Sequence, residues 1–383
     1  MYKPYTSGVT NYASINKSYF ESLGHEVFIF TFGNRDYVDD EADVYRSPAV
    51  AWGGTGWQLG LRPTSESRRL MAKLDVAHVQ HPFLSGRVAL AHARPHDIPI
   101  VFTNHTRYDL YSDTYAHWVP RELRMTYLRT YLRRFTRRMD AVIAPSASIA
   151  EWLREFGVTE DAIVLPNGVD TAPFRAPARR RSRASLGLPE DAVVFCYLGR
   201  VGDEKNIPLL VDAFVAAARQ TPAALLIIGD GPARAEAEAR VADAGLAERA
   251  HFAGLVPYAE VPEYLAACDA FVTASVTEVH PLVVVEAMAA GLPVVGVRSP
   301  GVSDTVEDGV SGLLAGEDAS ELAGLMCSLA TDSELRGELA GGARKASEHY
   351  DISVTGARLL AEYERVISEH AAKHASDASE TDE

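Results

Sequence analysis

The chain has 383 residues, 47% apolar and 23% charged, with a formal net charge of −15. A single core rarely holds more than about 100 to 200 residues, so two domains are expected. The acidic balance excludes bulk nucleic-acid binding, which needs a basic footprint, and no window reaches the ~18 consecutive apolar residues of a membrane span. The N-terminus MYKPYTSGVT lacks the pattern of a signal peptide. Cys196, Cys268 and Cys327 form no CxxC pair and read as core filler in a reducing compartment. A cytoplasmic location is the expectation.

In chain order, SGV at 7–9 opens an amphipathic helix ending near Gly24, with no strand before it, although a doubly wound domain normally begins with one. Strands are predicted at EVFIF, DVAHV, IPIVFT, DAVIAP and AIVLP, alternating with helical stretches. The acidic run DYVDDEAD (36–43) reads as a solvated loop. His78 and His81 have loose metal-ligand spacing without a companion motif, so structural roles are expected of them. His105, in FTNHT, ends a strand and so belongs to the edge where ligands of such sheets bind; a satisfied core histidine is the alternative. Residues 121–139 hold seven arginines against one acid. There, apolar side chains at 123, 127, 131, 135 and 139 form a stripe that 128 and 132 widen, with Arg129, Arg133, Arg134 and Arg137 opposite it. Such a helix either docks its apolar stripe on the domain or lies against an anionic bilayer.

Proline, arginine and serine without a hydrophobic period mark 173–189 as a linker between domains at 1–172 and 190–352. Strands recur beyond it at AVVFCYLG, ALLIIG, AHFAG, AFVTAS and PVVGV. The expected fold class is α/β: two Rossmann-like, doubly wound parallel-sheet domains facing across a cleft, the first lacking its opening strand. A helix at 353–372 is expected to pack back on the first domain, ahead of a disordered acidic tail at 373–383.

Three stretches of the second half carry candidate chemistry. In GRVGDEKN (199–206), Arg200 and Lys205 stand five apart across a turn that follows a strand and precedes a helix, so both can meet one anion such as a diphosphate. A solvated turn is the plain alternative. GDGP (229–232) is a strand-end turn that lets backbone approach a ligand, but no GxGxxG motif with a following acid supports a dinucleotide site. TEVHPLVVVEAMAAGLPVVG (277–296) sets Glu278 and Glu286 eight apart. Pro281 suits the first position of a helix that Gly291 stops. That helix is apolar nearly all round and should be buried, and a buried carboxylate at Glu286 needs a partner. Either a neighbouring loop or a ligand rich in hydroxyl groups supplies it.

Together SGV, TNHT, GRVGDEKN, GDGP, TEVHPLVVVEAMAAGLPVV and DTVEDGVSGLL resemble, in order, glycosyltransferase family 4, retaining enzymes of the glycosyltransferase-B (GT-B) fold. FTNHTRYDLYSDTY looks like bacterial enzymes that glycosylate diacylglycerol-type lipids. The resemblance implies a UDP-linked hexose donor, UDP-glucose or similar, and a hydroxyl acceptor, with attack on the face from which the diphosphate leaves. It implies that Glu286 accepts from the ribose, that Glu278 contacts the transferred sugar, and that backbone N–H groups around Val279 to Leu282 aim at sugar and phosphate, with His280, Pro281 and Val283 in the donor set. Proline, lacking an N–H, departs from the family pattern at 281, as does His280. The donor set further takes in Gly8, Gly199, Arg200, Lys205, Gly229, Asp230, Gly231 and Val256. Catalytic roles fall to His105, Glu278, Arg200 and Lys205, with domain closure carrying His105 toward Glu278. No metal or other cofactor is implied, because cationic side chains meet the leaving diphosphate. A sugar-nucleotide epimerase and an inactive sugar-nucleotide-binding protein are the rival readings.

Overall fold

A computed structural model of the chain describes residues 2–4, 7–52, 57–60, 62–115 and 118–380. The chain divides into two compact units, one of residues 1–168 with 352–383 and one of 169–351. The first holds α1 (Gly8–Ser22), β1 (Ile29–Phe32), β2 (Val44–Ser47), β3 (Ala49–Trp52), β4 (Trp57–Gly60), α2 (Ser65–Met71), β5 (Ala77–Val79), α3 (Leu84–His92), β6 (Ile100–Thr103), α4 (Tyr108–Tyr115), α5 (Arg121–Thr136), β7 (Ala141–Ala144), α6 (Ala147–Glu155) and β8 (Ile163–Val164). The second holds α7 (Ala172–Arg175), β9 (Val193–Leu198), α8 (Ile207–Ala218), β10 (Ala223–Ile228), α9 (Arg234–Asp243), β11 (Ala250–Gly254), α10 (Val261–Leu265), β12 (Ala270–Thr273), α11 (Leu282–Ala289), β13 (Val294–Val297), α12 (Pro300–Thr305), β14 (Gly312–Ala315), α13 (Ala319–Thr331) and α14 (Ser333–Ser347). Then α15 (Ile352–Glu380) rejoins the first unit.

In the first unit, β5, β6, β7 and β8 form a parallel sheet in that order. Both central strands are buried along their whole length, which is why they read as unbroken apolar runs. The Ser7 hydroxyl caps α1 by accepting from the Thr10 amide at 3.2 Å. Tyr12 and Phe20 of α1 then pack with Val101, Ile143, Leu359 and Val366. Among the described residues no strand precedes α1. The parallel pair β1–β2 and the antiparallel pair β3–β4 form separate small sheets, so the first unit is not parallel throughout.

The second unit has one parallel sheet ordered β11-β10-β9-β12-β13-β14, the doubly wound arrangement, with its switch point between β9 and β12. Side chains alternate across it. Phe195, Leu225, Ile227, Val272 and Val295 pack under α8 and α13, while Val194, Cys196, Leu226, Ile228 and Phe271 pack with α10 and α11.

Three expectations need correction. Residues 173–189 are not a free linker: Phe174, Leu186 and Leu188 are buried in the second core. The arginines that hid this pattern hold it in place. Arg181 pairs with Glu260 at 2.5 Å and lies over the Tyr264 ring at 4.2 Å. Arg183 donates to the Ala192 and Ala267 carbonyls and pairs with Asp269 at 2.7 Å. The tail expected to be disordered from 373 is helical to Glu380, continuing α15. The acidic run is tied down as well as solvated: Asp39 pairs with Arg46 at 2.6 Å, and Glu41 accepts from Lys3, Tyr2 and Ser14.

Candidate active site

At the switch point of the second unit, the loops leaving β9 and β12 carry Lys205 and Glu278. A short turn at 203–205 ends on Asn206, whose left-handed φ of 53° redirects the chain into α8. Lys205 Nζ meets Glu278 Oε1 at 2.5 Å, with side chains 24% and 19% exposed. Burial pushes the Glu278 carboxyl up, but the Lys205 ammonium outweighs it and holds the group below the usual carboxylate range. Arg200 pairs instead with Glu204 at 3.1 Å and is largely exposed. The two cations expected to share one anion are therefore each matched to a different carboxylate.

The turns at 199–202 and 229–231 interlock. The Val201 amide donates to the Asp230 carbonyl and the Gly199 amide to the Ile228 carbonyl, both at 3.0 Å. A Cβ on Gly229 would lie 1.9 Å from the Gly199 carbonyl oxygen, and one on Gly231 2.2 Å from that of Val201. Protein backbone alone thus demands glycine in GDGP, whatever ligand comes near. The Asp230 carboxylate accepts from the Gly231 amide at 2.7 Å and closes the turn.

Beyond Glu278 the chain enters α11. Pro281 is its N-cap in an extended conformation, one residue earlier in the helix than expected, and its carbonyl accepts from the Val284 amide at 3.0 Å. The amides of Leu282 and Val283, in the first turn, have no acceptor within the helix. Val279 and Leu282 are buried, Val283 is half-buried, and Val256 packs on the same core face. His280 is 7% exposed, with Tyr350 5.2 Å away ring to ring, and burial pushes it down to about 4. Its ring nitrogens have no hydrogen-bond partner among the described residues. The Glu278 backbone is crowded by Gly301 of α12, where a Cβ would sit 2.4 Å from the Glu278 carbonyl oxygen.

Glu286 is 2% exposed in a helix buried at every position but Val283. Tyr258 donates to its Oε1 at 2.9 Å. Burial raises the carboxyl to about 7, only partly offset by this bond. Sequence reasoning missed Tyr258 and Gly301; neither belongs to a periodic run, and a tyrosine after Pro257, which caps the turn beyond β11, was the one available signal.

In the first unit, His105 stands just beyond the carboxyl end of β6, half-buried. Its Nε2 is 2.7 Å from Gln80 Oε1 and its ring 4.8 Å from that of Tyr12. Gly8 opens α1, where a Cβ would meet no described atom within 4 Å. His78 is structural as expected, bridging Tyr363 at 2.5 Å and Thr103 at 2.7 Å. His81 is packed between Phe83 and Tyr108.

Helix α5 divides its apolar stripe. Leu128, Leu132 and Phe135 are buried, whereas Leu123 and Tyr127 are 63% and 60% exposed, close in sequence to Trp118 at 72%. Arg133 and Arg134 are exposed, Arg129 covers the Phe156 ring at 5.4 Å, and Arg137 lies 4.0 Å from Glu160.

Two family descriptions match the chain: "Glycosyltransferase Family 4" over residues 6–173 and "Glycosyl transferases group 1" over 178–346. Sulfoquinovosyl transferase SQD2 of Arabidopsis thaliana is 31% identical, over 91% of this chain and 68% of its own. The chain belongs to glycosyltransferase family 4. The alpha-monoglucosyldiacylglycerol synthase of Acholeplasma laidlawii is 29% identical to this family 4 enzyme across 91% of both chains. The crystal structure of Anabaena HepE in complex with UDP and glucose superposes with a TM-score of 0.73 at 19% identity, covering 95% of this chain and 98% of that one. The fold of this glycosyltransferase is GT-B, with parallel sheets in two units.

Proposed function

We propose that this enzyme is a retaining hexosyltransferase that moves a sugar, glucose first of all, from a UDP-linked donor to the hydroxyl of a diacylglycerol-type lipid, without a metal ion. The observation that carries the reading is Glu286: a carboxylate buried inside an apolar helix, beside the switch point where ligands of such sheets bind. Ribose hydroxyls match its acceptor chemistry. The UDP and glucose bound by HepE and the lipid named for the Acholeplasma relative support the choice of substrates.

In this reading Lys205 turns from Glu278 to the departing diphosphate, and Arg200 joins it from the solvent side. Their charge stabilises the leaving group as the glycosidic bond lengthens. Glu278, released from Lys205, accepts from the hydroxyls of the hexose. The acceptor hydroxyl attacks on the face the diphosphate leaves, and a phosphate oxygen takes its proton. Gly8 and His105 are assigned to the donor phosphate and to the sugar and acceptor, respectively.

The lipid acceptor calls for contact with a bilayer, and no helix among the described residues is long and apolar enough to cross one. We assign peripheral contact on the cytoplasmic face to α5: the exposed Leu123 and Tyr127 of its apolar stripe enter the interface, with Trp118 close by in sequence, and the long side chains of Arg133 and Arg134 reach around the helix to the anionic headgroups.

A screen of UDP-hexoses against lipid and small hydroxyl acceptors, read by product mass and anomeric configuration, tests the proposal. The expected product is an α-linked glycolipid formed equally well in a metal chelator. Donor turnover without an acceptor would point to an epimerase, and donor binding without turnover to a binding protein.

A further inference from the structure

Tyr258 starts a short turn (Tyr258–Glu260) between β11 and α10. Its ring meets Phe174 nearly edge-on at 6.2 Å, and its hydroxyl donates to Glu286 Oε1 at 2.9 Å. The two partners differ in environment: Tyr258 is 39% exposed, Glu286 only 2%. A phenol with access to water has no need of this carboxylate. A carboxylate sealed in an apolar helix does need a donor, and Tyr258 is its one hydrogen-bond partner among the described residues. The bond also fixes geometry. With Oε1 engaged, the plane of the carboxyl group is set and Oε2 keeps its acceptor capacity.

We infer that Tyr258 is a positioning residue for the nucleotide: its hydroxyl orients Glu286 so that the second carboxylate oxygen receives the ribose diol of a nucleoside diphosphate, and its exposed ring borders the nucleoside. The inference rests on the proposed ribose contact of Glu286. Tyr258 acts through that residue and takes no part in the transfer step.

Calorimetric titration of UDP into the full chain, the Tyr258→Phe, Glu286→Ala and doubly substituted proteins tests it. Phenylalanine keeps the ring and its packing on Phe174, so the fold is retained, which thermal melting checks. Losing the orientation this bond gives Glu286 should weaken UDP binding about two- to tenfold, the scale of one ordinary net hydrogen bond. The double variant should bind no more weakly than Glu286→Ala alone, because the hydroxyl has nothing left to orient. In the transfer assay Tyr258→Phe should raise the donor KM by a similar factor with kcat within about twofold of wild type. UDP binding unchanged in Tyr258→Phe, or effects of the two substitutions that simply add, would overturn the inference alone. A wild-type chain that binds no UDP would overturn the ribose reading itself.

Discussion

Glu286 shows how one side chain can be read from sequence and still hold back its partner. A lone acid in LVVVEAMAA has to be buried and has to be satisfied, and both follow from helical periodicity and the cost of desolvation. Which atom satisfies it depends on the turn after β11, a non-local fact invisible to local pattern. The raised pKa has a definite sign. Between its ordinary value of 4.5 and about 7, the folded chain holds a proton on Glu286 that the unfolded chain has lost. This contribution to stability is present at low pH and disappears as pH rises through about 7, a change of up to about 3 kcal/mol. Melting of Glu286→Gln should accordingly lose that part of the decline between pH 4.5 and about 7; parallel curves for variant and wild type would contradict it. For the Lys205–Glu278 pair the expected effect is on turnover. Lys205→Ala should lower kcat about a hundredfold or more, the scale for removing one group that stabilises developing charge, whereas an unchanged kcat would remove Lys205 from the mechanism.

At the scale of elements, legibility tracked the length of the apolar run. The ten strands expected from runs such as AVVFCYLG and ALLIIG all exist, whereas β2 (VYRS), β3 (AVAW), β4 (WQLG) and β14 (GLLA), in which polar, small or glycine residues break the apolar run, did not stand out from their surroundings. The segment 173–189 misled because its arginines spend their charge on backbone carbonyls and on Asp269 and Glu260, a use that composition cannot distinguish from a solvated linker. Helix α5 misled in part. Its stripe is continuous in sequence, but only the half from Leu128 onward is buried. If the exposed half meets lipid, replacing Leu123 and Tyr127 together by glutamate should cut co-sedimentation with anionic vesicles severalfold without changing the melting temperature. Binding equal to wild type would show that this face does not touch the bilayer. In α12, Gly301→Val should destabilise the second unit by about 1–3 kcal/mol, the usual range for overpacking, since the Glu278 backbone leaves no room for a Cβ. Chemical denaturation measures this directly, and unaltered stability would mean that the loop before α11 yields easily.

For the whole molecule, the order of motifs along the sequence announced two α/β units and a family 4 enzyme, and the strand order of the second unit follows the doubly wound rule. What sequence left out is the pairing of Lys205 with Glu278 and the Tyr258 hydroxyl on one oxygen of Glu286. The central physical claim is that the acid within α11 receives the ribose. Comparing the affinities of UDP and 2′-deoxy-UDP for wild-type enzyme and for Glu286→Ala tests it most directly. Wild type is expected to prefer UDP by about tenfold, the scale of one hydrogen bond to a charged group, and Glu286→Ala to bind both alike; the same preference in both proteins would contradict the claim.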